Sequence, residues 1–91
     1  MELKEINEII NKAIETYGQD PQIWMTIEEM SELGNALAKY RRNRVTKSDI
    51  CEEIADVLIM CIQMSKIFGE ERVKQMFKDK LKRLKERLDH E

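Results

Sequence analysis

At 91 residues, with 42% apolar and 37% charged side chains, the chain is the size of one small domain and too rich in both kinds of residue to be disordered or fibrous. A formal net charge of −2 excludes the broad basic footprint of a general nucleic-acid binder. A chain this short buries only about 60% of its unfolded surface, so a lone copy is marginal.

The first predicted helix runs from Leu3 to Tyr17, where Leu3, Ile6, Ile10, Ala13 and Tyr17 recur at three- and four-residue intervals before Gly18 ends the pattern. Its opening, MELKEINEII, alternates charged with apolar residues and reads as neither a signal nor a transit peptide. No run approaches the ~18 apolar residues of a membrane span, so the expectation is a cytoplasmic protein with reduced thiols and no membrane partner. GQDP reads as a turn, with Asp20 capping a second helix and Pro21 at its first position. That helix runs to about Arg42 through Ile23, Ile27, Met30, Leu33 and Leu37.

RRNRVTKSD breaks the periodicity, and either Ser48 with Glu52 or Thr46 with Asp49 offers the cap of a third helix that ends at Phe68 before Gly69. The fourth helix, from about Glu70 to Leu88, has an apolar stripe of Val73, Phe77, Leu81, Leu84 and Leu88. Its other face carries Lys74, Lys78, Lys82, Lys85 and Glu86. Connections this short favour antiparallel neighbours, so the expected fold is all-α: four helices in a single domain over residues 1–91, with a central antiparallel hairpin of the second and third.

The third helix holds the chemistry. From Ile54 to Met64 its one charged residue is Asp56, with Glu53 a turn earlier. At 100° per residue Glu53 shares a face with Val57, Met60 and Met64, and Asp56 lies about 60° to its side. Ile54, Leu58, Ile59 and Ile62 cover the remaining directions, a pattern that belongs to an enclosed helix. A lone ionised carboxylate in such a place costs several kcal/mol or protonates. The second helix offers no base opposite it but two further acids, Glu29 and Glu32, at i and i+3. Packed as an antiparallel hairpin, the two helices bring Glu29, Glu32, Glu53 and Asp56 together. Four such groups repel unless a multivalent cation neutralises them, and an all-oxygen set with room for water suits Mg²⁺, with Mn²⁺ as substitute. The single His90 is penultimate and Cys51 and Cys61 form no CxxC pair, which argues against zinc and against a di-iron site; both thiols read as small buried residues.

EEMSE (followed by Leu33), the twenty residues from Leu33 to Glu52, and then EIAD resemble the EExxE…ExxD signature of the MazG-like all-α nucleoside triphosphate pyrophosphohydrolases. The similarity extends from about Ile23 to Ile67. It implies Mg²⁺-dependent cleavage between the α- and β-phosphates, giving a nucleoside monophosphate and pyrophosphate. By resemblance the metal ligands are Glu29, Glu32, Glu53 and Asp56; Glu28 matches the leading acid, and Glu32 or Glu29 is the candidate catalytic base.

Candidates to receive the outer phosphates are Lys80 and Arg83, with Arg41, Arg42 and Arg44 after the second helix; the plain alternative for all of them is a solvated charged face. Trp24 is a candidate to stack on a base, or equally a core or subunit contact. Met25, Met30, Met60 and Met64 read as deformable core filling. A homodimer, or a tetramer built from dimers, is expected, in which the second and third helices of two chains form a shared four-helix core. Two alternatives stand beside this reading. A phosphoribosyl-ATP pyrophosphohydrolase has similar acidic pairs, but where it carries a Lys before them and a His after the Asp-Leu run this chain has Thr26 and Met60. A non-catalytic helical interaction module would show no stabilisation by Mg²⁺ or Mn²⁺.

Overall fold

Helical periodicity becomes four α-helices and no strand in the computed structural model, which describes residues 1–91: α1 (Leu3–Tyr17), α2 (Gln19–Arg41), α3 (Lys47–Phe68) and α4 (Glu70–Asp89). None is long and apolar enough to cross a membrane.

The joint between α1 and α2 is tighter than the sequence implies. GQDP is not a four-residue turn, and Asp20 is not the cap: Gly18 alone separates the helices, at φ +91°, and α2 begins at Gln19. Glycine enters that region without steric cost, so one residue suffices to redirect the chain. Pro21 falls in the first turn, where its missing N–H would have had no helical partner in any case. Asp20 sits beside it, where the helix dipole favours an acid. At the start of α3 the cap is Thr46 with Asp49. The Thr46 N–H donates to Asp49 Oδ2 at 2.7 Å and the Asp49 N–H donates to Thr46 Oγ1 at 3.2 Å. The bonds that the Thr46 N–H and then its hydroxyl donate to Oδ2 hold the Asp49 carboxyl below its usual range.

Helices α2 and α3 form the antiparallel central hairpin. Lys39 and Ala36 lie beside Asp49, Glu29 beside Asp56, and Gln22 and Met25 beside Ile59 and Met60, so one helix descends as the other rises. Helix α1 packs across both, burying Ile10, while α4 touches only α3 and buries nothing. Lys66 and Glu70 clamp the α3–α4 corner at 2.8 Å.

The face of α2 turned toward α3 is not its apolar stripe. Gln22 and Thr26 are buried and Glu29 half-buried, whereas Ile27, Met30 and Leu37, about 100° around the helix, are exposed. On α3 the buried residues are Met60 and Gln63, while Ile54, Leu58, Ile59 and Ile62 are exposed. The single chain therefore does not enclose α3, because its one long partner covers one side only. Cys51 and Cys61 are exposed rather than buried, and of the four methionines only Met60 is fully covered, with Met25 and Met30 exposed. The radius of gyration is 15.9 Å, against about 12 Å for a compact chain of this length.

Candidate metal centre

Midway along the hairpin, Glu29 of α2 and Glu53 and Asp56 of α3 each present a carboxylate oxygen, all within 4.8 Å of one another. The antiparallel register sets this meeting point, because Glu29 lies nearly three turns inside the start of α2 and Asp56 midway along α3. Glu29 Oε2 and Glu53 Oε2 are sealed from solvent and accept no hydrogen bond. No cation balances them. The ion pairs of the chain all lie at the α3–α4 corner, among Lys66, Lys74, Glu70 and Glu71.

Desolvation pushes the Glu29 carboxyl above its usual range, and the charges of Glu32, Asp56, Glu53 and Glu28 push it further. Glu53 is raised in the same way, by desolvation first and then by Glu32, Asp56, Glu52 and Asp49. Glu32 stands outside the tight triad and is exposed, yet it is the strongest neighbouring charge on both raised groups.

These residues fit a hard divalent cation. The donors are all oxygen, two of them are enclosed without a partner, and their mutual repulsion is the quantity a cation relieves. A structural acid in this position would show a base or hydrogen-bond donors, as the Asp49 carboxyl does with the Thr46 N–H and hydroxyl.

A family model for the MazG nucleotide pyrophosphohydrolase domain matches residues 18–90. The chain belongs to that family. Its all-α character agrees with that domain. Neither a curated relative nor a solved structure matches the chain.

The other predicted site residues lie elsewhere in the chain. Lys80 and Arg83 line a concavity along the end of α4 with Glu86, Arg87 and His90, and share no cavity with the acids. Trp24 is 66% exposed and projects about 140° around α2 from Glu29. What sits beside the acidic triad instead is a cavity of about 440 Å³ lined by Tyr17, Pro21, Gln22, Met25, Ile59 and Met60, together with Glu29 and Asp56. Sequence reasoning passed over Gln22 and Tyr17. The available signal was spacing: Gln22, Thr26, Glu29, Leu33 and Ala36 recur at intervals of four and three, a second stripe more polar than the one through Ile27 and Met30.

Proposed function

We propose that the protein is a Mg²⁺-dependent nucleoside triphosphate pyrophosphohydrolase that releases a nucleoside monophosphate and pyrophosphate. The observation that carries this reading is the triad of Glu29, Glu53 and Asp56, drawn within 4.8 Å without a counter-charge in a chain of the MazG family. Glu29, Glu53 and Asp56 hold the cation, and Glu32 completes the set from its edge. When bound, Mg²⁺ (or Mn²⁺) neutralises the acids, takes up charge on the phosphate oxygens and acidifies water. Glu32, outside the triad and open to solvent, accepts the proton of the water that attacks the α-phosphorus, with Glu29 as the alternative acceptor. The half-buried flanks of Glu29 and Glu53 limit water around the reacting phosphate.

A second copy completes the protein. The chain exposes 7769 Å², whereas a folded monomer of its mass exposes about 5,500 Å². The excess exceeds the ~800 Å² per partner of a standard interface and falls in the range of obligate pairs. It includes two outward apolar stripes, Ile27, Met30 and Leu37 on α2 and Ile54, Leu58 and Ile62 on α3. Joining these stripes across a two-fold axis builds the shared four-helix core. In such a pair Lys80, Arg83 and Trp24, remote from the acids of their own chain, serve the phosphates and base held by the other.

Phosphorus NMR of a nucleoside triphosphate treated with protein and Mg²⁺ tests the activity. Monophosphate and pyrophosphate are expected; diphosphate and orthophosphate would place the cut at the wrong bond. Light scattering should give at least twice the 10.8 kDa chain mass, and a fully active monomer would overturn the shared core.

A further inference from the structure

The cavity beside the acids contains a feature that the metal site does not use. Gln22 is only 5% exposed, yet its side-chain amide takes part in none of the hydrogen bonds made by side chains. Its amide atoms are absent from the sealed, unpartnered set, so what little of the residue remains accessible includes them, and the residue lines the cavity. An amide that opens into a cavity and has no partner within the chain keeps its donor and its acceptor free for a ligand. The Thr26 hydroxyl one turn on donates to the Gln22 backbone carbonyl at 2.8 Å and leaves the side-chain amide free.

The surroundings of the amide define the ligand. Tyr17 offers an aromatic face, Met25, Ile59 and Met60 offer apolar contact, and no charged side chain other than Glu29 and Asp56 reaches the cavity. A flat, neutral, partly apolar group with hydrogen-bonding edges suits these walls, and a phosphate does not. The volume of about 440 Å³ lies within the roughly 300–1,000 Å³ of small-molecule sites. Its lining includes two of the triad acids, so a group seated there is joined directly to whatever those acids hold through a cation.

We propose that this cavity is the nucleobase subsite, in which the Gln22 amide reads the base's hydrogen-bonding edge and Tyr17 stacks on its face. The inference rests on the pyrophosphohydrolase reading and assigns the nucleoside half of its substrate. A carboxamide pairs in two bonds with any edge that presents a donor beside an acceptor, and such pairs discriminate between bases by about ten- to a hundredfold. The selectivity of the enzyme therefore resides in Gln22, whereas the metal is held by the acids.

Two measurements test this. The first titrates wild-type protein, without metal, with free adenosine, guanosine, cytidine and uridine, following the Gln22 side-chain NH₂ signal by NMR. At least one nucleoside is expected to shift it, and because nucleosides carry no phosphate the result stands apart from any hydrolysis. No shift with any of the four would overturn the proposal even if the enzyme cleaves triphosphates. The second compares kcat/KM for the four triphosphates. Gln22→Leu should compress a spread of tenfold or more to about threefold or less by raising KM for the preferred base. Gln22→Glu, which keeps the shape but loses the donor, should shift preference toward bases that present an amino group. An unchanged spread in both variants, each retaining wild-type helicity and Mn²⁺ affinity, would overturn it.

Discussion

Asp49 and Glu53 lie one turn apart on α3 and are driven in opposite directions. Asp49 faces the Thr46 N–H and hydroxyl, and those hydrogen bonds lower its carboxyl pKa; Glu53 has a sealed oxygen with no donor, and desolvation and the acids around it raise its pKa. The first is an acid that the fold satisfies by itself. The second is an acid that the fold leaves without a partner, the kind of group that marks a candidate site. Glu70, lowered by its hydrogen bond to Lys66, belongs with Asp49; Glu29 belongs with Glu53. The contrast separates acids that the fold satisfies from acids that it leaves without a partner.

The strongest way to break the comparison is to remove an acid of the triad. Asp56→Asn should reduce pyrophosphate release by about 10²–10³-fold or more while the protein remains helical by circular dichroism. Loss of helix content would show that Asp56 holds the fold together, and the contrast would collapse. Next in size is the effect of the cation. At a free Mn²⁺ or Mg²⁺ concentration a hundred times its Kd, the folded state should gain about 2.7 kcal/mol, read as a rise in Tm over chelator-treated protein. An unchanged Tm is the behaviour of a non-catalytic helical module.

A smaller effect comes from the other side of the comparison. Thr46→Ala removes the cap partner of Asp49 and should cost about 1 kcal/mol in a denaturant melt, with Mn²⁺ affinity unchanged. The smallest effect is a matter of sign. Glu53→Gln removes one repelling charge, so in chelator the variant should melt at the same temperature as wild type or higher; a satisfied acid such as Asp49 would lose stability on the same change.

The sign depends on pH in a definite way. A raised carboxyl binds its proton more readily in the folded chain, so its contribution is fully present below the ordinary value of 4.5 and is lost as pH rises through the elevated folded value. Any advantage of Glu53→Gln in chelator should therefore grow as pH rises above that ordinary value, and vanish below it. Asp49 and Glu70 run the other way, contributing above their ordinary values and losing that contribution as pH falls through their depressed ones.

The four helices and the acidic hairpin were legible because they rest on local chemistry. Periodicity, Gly18, Gly69 and the Thr46–Asp49 box mark the helix ends, and the register of a short antiparallel hairpin is nearly forced. Periodicity does not say which surface covers an apolar stripe, and in the single chain Ile27, Met30 and Leu37 on α2 and Ile54, Leu58 and Ile62 on α3 are exposed. In the chain itself α2 turns Gln22, Thr26 and Glu29 inward and leaves its apolar stripe outside. The cavity was invisible for a related reason: Tyr17 and Gln22 meet Ile59 and Met60 only because Gly18 folds α1 back within one residue.

The central claim is that the unsatisfied acids of the α2–α3 groove hold a divalent cation and the satisfied acids do not. Titration of Mn²⁺ into chelator-treated protein, with free Mn²⁺ followed by electron paramagnetic resonance, tests it directly. Saturable binding is predicted for wild type and for Thr46→Ala, with affinity lost or strongly reduced in Asp56→Asn. Absence of binding in wild type, or equal binding in Asp56→Asn, would contradict the account.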